Sequence, residues 1–245
     1  MTYFSTTYFF KNIAQKCFYS ACCNGNLYLL GLLIKKGINI DSKNIKHNGW
    51  TGLHYACYYG HYDIVSSLII NNADVNISDD DCNYTCLHLA CIKGHMDIIC
   101  LLIDNGANMD AMTAVGVSCL HIACGENKLG VVKLLINNGA DINVKNKFGT
   151  CLHTVCRKGY YDIAKFLIDN GINVNELNDG DEGCLHCACL WGHFDIVKML
   201  VEYGADINAR NWNGKTPLMI AEERGHNNIV AYLRDETIKK NFIFQ

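Results

Sequence analysis

The chain repeats itself. A Leu-His pair at Leu53-His54 returns at Leu87-His88, Leu120-His121, Leu152-His153 and Leu185-His186, and the same slot holds Tyr19 before them and Met219 after. Successive members of this series lie 35, 34, 33, 32, 33 and 33 residues apart. A second element keeps the register: Gly60-His61-Tyr62-Asp63-Ile64-Val65 recurs as Gly94-His95-Met96-Asp97-Ile98-Ile99, Gly192-His193-Phe194-Asp195-Ile196-Val197 and Gly225-His226-Asn227-Asn228-Ile229-Val230. A third closes each period with a Gly-x-Asn or Ala-Asp-x-Asn loop, as in Gly139-Ala140-Asp141-Ile142-Asn143, where glycine can turn left-handed after a helix. At 245 residues and 50% apolar the chain could otherwise be one large or two ordinary domains. The period overrides that reading, because units this small bury their apolar faces only against one another.

The Thr-x-Leu-His-x-Ala element, seen in Thr85-Cys86-Leu87-His88-Leu89-Ala90, resembles the ankyrin repeat at this period. The resemblance implies an all-α solenoid of helix-turn-helix units joined by β-hairpin-like loops and capped at both ends. Seven units fit residues 13–234, at about 13–45, 46–79, 80–112, 113–145, 146–178, 179–211 and 212–234. Residues 1–12, rich in aromatics and Thr, fall outside as an irregular arm or a helix extension, and 235–245 form a tail whose Phe242-Ile243-Phe244 is expected to pack back on the last helix, with service as a short peptide ligand the lesser alternative. The first unit keeps the spacing but reads Phe18-Tyr19-Ser20-Ala21, as an amino-terminal cap would. The seventh, with Pro217 at a first helical turn and polar helices, reads as the other cap. In the fourth, Asn127-Lys128-Leu129-Gly130 replaces Gly-His-x-Asp, so a distorted inter-helix turn is expected; in the second, Asn72 stands where the loop glycine belongs. The Asn/Ile/Lys/Tyr-rich, Pro-poor usage fits an AT-rich genome, viral or protist.

Ten histidines and fifteen cysteines suggest chemistry, yet nine of the histidines and ten of the cysteines sit in template slots. The resemblance gives the histidines a structural role, bonding the backbone of adjoining turns, and leaves only His47 unexplained. Cys22, Cys57, Cys91, Cys124, Cys156 and Cys189 follow the small residue of the first helix, a slot that suits buried thiols. Cys86, Cys119, Cys151 and Cys184 take the slot that proline usually holds in such repeats. Equivalent rungs about 8–10 Å apart are too distant to bridge, which predicts free thiols in a reducing compartment. Cys184-Leu185-His186-Cys187-Ala188-Cys189 contains a Cys-x-x-Cys at a helix start, where a thiolate would be stabilised. A thiol- or metal-responsive protein built on that cluster is therefore an alternative of a different class.

The net charge of −3 gives no electrostatic footprint for nucleic acid. Residues 1–10 carry no basic residue to open a leader, and no apolar run approaches the ~20 residues of a membrane span. The expectation is a soluble intracellular monomer, cytoplasmic or nuclear, without cofactor, metal or membrane partner. No glycine-rich phosphate loop, paired-carboxylate site or Ser/His/Asp arrangement stands outside the repeat, so no catalytic residues are assigned and the reading is non-enzymatic.

The resemblance implies protein binding along a concave surface of hairpin tips and first helices. Hairpin and first-helix surface slots vary between units while packing slots hold, as a custom interface requires. Candidate contact residues at the tips are Trp50, Tyr84, Phe148 and Trp212. The groove ends of the first helices add Tyr58, Tyr59, Arg157, Lys158, Leu190 and Trp191. Trp, Tyr and Arg are the types that most often anchor interfaces. The tips also alternate in charge, from Lys43, Lys46 and His47 to Asp79, Asp80 and Asp81, and later from Lys145 and Lys147 to Glu176, Asp179, Asp181 and Glu182. A substrate-recruiting adaptor of a larger assembly, such as a ubiquitin ligase, is the second reading, although the eleven residues after Arg234 are too few for an F-box-like segment.

Overall fold

The computed structural model describes the backbone of residues 2–243 and the side chains of residues 12–239. Contacts divide the chain into two compact units, Met1–Ile122 and Ala123–Gln245. The N-terminal unit contains α1 (Thr2–Asn24), α2 (Leu27–Lys35), a 3-10 turn (Ile45–His47), α3 (Gly52–Tyr59), α4 (Tyr62–Ile70), α5 (Cys86–Lys93), α6 (Met96–Asp104) and the start of α7 (Cys119–Gly125). The C-terminal unit holds the end of α7, α8 (Leu129–Asn137), β1 (Lys145–Asn146), β2 (Gly149–Thr150), α9 (Cys151–Lys158), α10 (Tyr161–Asp169), α11 (Cys184–Trp191), α12 (Phe194–Glu202), α13 (Pro217–Arg224) and α14 (Asn227–Ile243). Within each unit the first helices of successive repeats pack on one another, α1 on α3 and α3 on α5 in one, α9 on α11 and α11 on α13 in the other. The second helices form the parallel layer, α2, α4 and α6 in one unit and α8, α10, α12 and α14 in the other.

Helices this short are unstable alone, so caps and packing must define them. Thr51, Thr85 and Thr150 cap α3, α5 and α9 in extended backbone, and the histidine three residues on completes a capping box. In α3, His54 Nδ1 lies 2.8 Å from Thr51 Oγ1 and accepts the Thr51 N–H at 3.1 Å. That occupies Nδ1 as an acceptor, so Nε2 carries the proton and donates to the Tyr84 carbonyl of the next repeat at 3.1 Å. His153 repeats the arrangement, bonded to the Glu182 carbonyl at 3.0 Å. Leu53, Leu87, Leu120 and Leu152 and the paired Ile98-Ile99 are sealed from solvent beneath these caps, as the 3.6-residue spacing requires.

Every first helix except α7 ends on a left-handed glycine, as Gly60 does at φ 80. The following repeat covers it: a Cβ on Gly60 would stand 2.6 Å from Cε1 of His95, whose Nε2 lies 3.3 Å from the Tyr58 carbonyl. Asn72 takes the left-handed place of the loop glycine at φ 64, the conformation expected of it. The turn of the fourth repeat is not distorted, contrary to expectation. Asn127 is left-handed at φ 54, and the Lys128 N–H donates to the Ala123 carbonyl at 2.9 Å as the His95 N–H does to Ala90 at 3.2 Å.

The loops after the second helices form a ladder that the glycine pattern alone did not suggest. Asp74 Oδ1 accepts the Asn76 N–H at 2.9 Å, and Asn76 then reaches the next loop, accepting from Asn108 N–H at 2.8 Å and donating to the Gly106 carbonyl at 3.0 Å. Asn175 does the same to Asp206 and Gly204 in the C-terminal unit. Of the two forms expected ahead of the first unit, an irregular arm or a helix extension, the backbone takes the second, continuous with α1 from Thr2. Neither glycine nor proline interrupts Thr2 to Asn24, so a helix nucleated by packing propagates through it. At the other end α14 runs on to Ile243; the side chains of Phe242, Ile243 and Phe244 lie outside the described residues.

Candidate functional site

In the N-terminal unit the structure brings three of the expected contact residues together. Trp50 leaves the first hairpin tip, fixed by its carbonyl accepting from Asn44 N–H at 2.9 Å, and lies 5.3 Å from the Tyr58 ring and 5.2 Å edge-on to Tyr55. Tyr58 and Tyr59, at the end of α3, meet edge to face at 5.1 Å, and Lys93 Nζ sits 4.1 Å from the Tyr58 ring centroid. Trp50, Tyr55, Tyr58 and Tyr59 border a cleft of about 1040 Å³ between α1, the tip and α3. Two of its walls were missed by sequence reasoning. Tyr55 is buried, donated to by Asn44 Nδ2 at 3.0 Å, and Tyr19 from α1 packs 6.0 Å from it. The available signal was that Tyr55 fills the free slot after the Leu-His pair, where other repeats carry Leu89, Ile122 or Thr154.

Tyr84 does not join this cluster. It stands edge-on over His88 at 5.8 Å, in the second tip. Asp79, expected as a surface charge, is buried, its carboxylate accepting the Cys82 and Tyr84 N–H groups at 3.1 and 3.0 Å. Part of the charge alternation is likewise consumed inside the fold, because neighbouring tips neutralise one another: Lys43 pairs with Asp80 at 2.6 Å and Lys145 with Glu176 at 2.7 Å.

In the C-terminal unit the candidates stay apart. Phe148 is half exposed under Lys147, whose Nζ is 4.9 Å from the ring, and Trp212 lies over Gly180 while remaining 70% exposed. Lys158 Nζ donates to the Gly125 carbonyl at 2.7 Å, and the Arg157 carbonyl takes the His193 ring at 3.1 Å. Leu190 and Trp191 close α11, with Trp191 exposed and Leu190 half-buried. Among the described residues no ring contact links Phe148, Trp191 and Trp212.

A family model for ankyrin repeats matches residues 11–79, 64–146, 120–211 and 152–243. The chain belongs to the ankyrin repeat family. It is 44% identical over 55 residues to the Notch-regulated ankyrin repeat-containing protein of Xenopus tropicalis, covering 22% of this chain and 46% of that one. Against protein phosphatase 1 regulatory subunit 27 of Mus musculus it is 40% identical over 63 residues, 26% of this chain and 40% of that one. An E3 ubiquitin-protein ligase of Arabidopsis thaliana matches at 34% over 59 residues, 24% and 11% of the two chains. Each of these alignments spans less than half of the relative. The crystal structure of the human ASB11 ankyrin repeat domain superposes with a TM-score of 0.74 at 29% identity, covering 83% of this chain and 90% of that one. The fold class is thus all-α, an ankyrin repeat fold, and ankyrin repeats are protein–protein interaction modules.

Within that ankyrin frame the histidines and cysteines take structural positions. Gly-His rings lie on the glycine of the preceding repeat, His61 Nε2 reaching the Cys23 carbonyl at 2.8 Å, for example. The Cys-x-x-Cys at α11 does not carry a stabilised thiolate: burial pushes Cys187 up to about 12 and raises Cys184 well above its ordinary value, outweighing the helix terminus. The two cysteine ladders, read separately in the sequence, act on each other: burial raises Cys86, Cys151 and Cys184 with a further push from Cys57, Cys124 and Cys156, and Cys91 with burial raises Cys119. All fifteen cysteines are free, and no helix among the described residues is long and apolar enough to cross a membrane.

Proposed function

We propose that this chain binds its protein partner through the hairpin tips and the adjoining ends of the first helices, with Trp50, Tyr58 and Tyr59 anchoring the N-terminal unit and Trp191, Arg157, Lys158, Leu190, Phe148 and Trp212 contributing from the C-terminal one, while Tyr84 lies at the second tip. The observation that carries this reading is the aromatic cluster around Trp50, which is held in place by ring contacts and a backbone hydrogen bond before any partner arrives. Such a surface loses little side-chain entropy on binding. The module is non-enzymatic and monomeric, and it works in a reducing, intracellular compartment where free thiols persist.

Trp50→Ala and Trp191→Ala are each expected to weaken partner binding by ~2 kcal/mol while changing stability less, as hot spots on a preformed surface do. The partner is obtained by affinity capture from the native cell, and calorimetry on the purified pair gives the difference. Normal binding by both variants, together with loss on substituting outward residues of α4 and α10, would place the partner on the opposite face. A substrate-recruiting adaptor role is the second reading, favoured by the names of relatives such as the Arabidopsis thaliana E3 ubiquitin-protein ligase. Co-purification of ubiquitin-ligase subunits distinguishes it from a simple binding module.

A further inference from the structure

The proposed hairpin-face reading leaves the partner's chemistry open, and the cleft beside Trp50 narrows it. We infer that this cleft takes an acidic peptide segment of a protein partner, with one bulky apolar side chain seated among the rings. This inference rests on the hairpin-face reading and goes further by naming the ligand class.

Three observations carry it. First, the walls are aromatic: Tyr19, Trp50, Tyr55, Tyr58 and Tyr59 border one space, which suits an aromatic or aliphatic anchor. Second, every charged residue in the lining, among the described residues, is a cation or a histidine. Lys16, Lys46 and His47 are exposed there, while Lys43 is already paired with Asp80, and among the described residues no Asp or Glu lines the space. Third, the carboxylates nearby in the fold are engaged elsewhere. Asp80 holds Lys43, Asp81 accepts from Asn48 Nδ2 at 3.2 Å, and Asp41 accepts the Asp74 N–H at 3.1 Å. Lys93 over Tyr58 adds a further cation at the end of α3. The result is a basic, aromatic cleft in a chain of net charge −3, so the complementarity is local to it. Rings and lysines together also suit stacked bases, but a nucleic-acid strand needs a basic track along its backbone, and a chain of net charge −3 offers no such footprint beyond the cleft.

The test is fluorescence polarisation on the full chain with a labelled Glu/Asp-rich peptide, roughly ten residues and 30 Å long, carrying one central Phe. Three probes accompany it: the same peptide with Gly for the Phe, its Lys-rich counterpart, and a single-stranded oligonucleotide of equal charge. The acidic Phe peptide is expected to bind, with the other three weaker by about tenfold or more, and its affinity to fall with added salt. The double variant Lys16→Glu/Lys46→Glu is expected to lose about tenfold, because both side chains are exposed and their reversal leaves the fold, checked by circular dichroism, unchanged. Tyr58→Ala should lose a similar factor, whereas Lys198→Ala, an exposed residue of α12 outside the proposed interface, should leave peptide binding as it was. Absence of peptide binding, equal binding of the Lys-rich peptide, tighter binding of the oligonucleotide, or indifference to the charge reversal each overturns the inference. If the native partner is lost on Trp191→Ala yet retained by Lys16→Glu/Lys46→Glu, the hairpin-face reading stands and the cleft assignment falls alone.

Discussion

At the scale of single residues three buried histidines, His88, His153 and His186, couple the fold to pH. Burial lowers His88 and His153 from 6.5 to about 4, against the smaller opposing pull of backbone carbonyls, and lowers His186 for the same reason. Between those two values the unfolded chain takes up protons that the folded chain refuses. The stabilising contribution is therefore complete above about pH 6.5 and is lost as the pH falls toward 4. The drop from 6.5 to about 4 corresponds to about 3 kcal/mol for each of His88 and His153. The urea midpoint should accordingly fall between about pH 7 and pH 5, before most carboxylates titrate, and His153→Gln should flatten that fall. A midpoint constant over this range would mean that the rings are not held as neutral, desolvated imidazoles. His88 has the further distinction that Nε2 is the one buried side-chain polar atom among the described residues that closes no hydrogen bond of ordinary geometry, the Val117 and Ala111 carbonyls acting on it only from longer range, whereas the equivalent atom of His54 reaches Tyr84.

At the scale of the element, the turn between helices is a contact between repeats as well as a local conformation. Where the fourth repeat has Asn127 for glycine, the fifth has Tyr160 in the histidine slot, and Lys158 Nζ donates to Gly125, two residues before the turn. That carbonyl corresponds to Cys23, Tyr58 and Arg157, which accept from histidine rings elsewhere. A left-handed residue with a Cβ and a histidine ring above it exclude each other, and the chain avoids the clash by changing both. Tyr160→His is thus expected to cost about 1–2 kcal/mol alone, and much less in an Asn127→Gly background, giving a coupling of similar size in a double-mutant cycle read by urea unfolding. Additive effects would show that the two sites are independent. This is also where the sequence stopped being legible. Leu53, Leu87, His54 and His153 could be placed from their period, since each acts through its own repeat. Asn127 read as a defect because its tolerance depends on a ring missing one repeat later. The cleft was half readable for a related reason: Trp50, Tyr58 and Tyr59 stood out by residue type, whereas Tyr19 and Tyr55 matter only once α1, the tip and α3 are brought side by side. Asp79 shows the converse, a carboxylate read as surface charge that its own loop draws inward.

At the scale of the whole molecule, each repeat is completed by the next, so shortening the chain should not give a smaller version of the same protein. Truncation after Asn143 removes α10, against which α8 packs, and bares a face carrying Val131, Val132 and Leu135, all buried in the full chain. The fragment is expected to aggregate or to melt well below the parent, with scattering and thermal unfolding as the measurements. A fragment as soluble and stable as the whole chain would show that the missing repeats contribute nothing to those remaining. The glycine turn under its histidine also bears on how such a chain can change over time. From a Gly60-His95 arrangement, gaining a side chain at the glycine first sets a Cβ 2.6 Å from the ring, whereas losing the ring first is open. Histories that end in an Asn-Tyr pair like Asn127 and Tyr160 therefore have an order, with the later repeat changing before the earlier one, and a return to Gly-His must retrace it backwards.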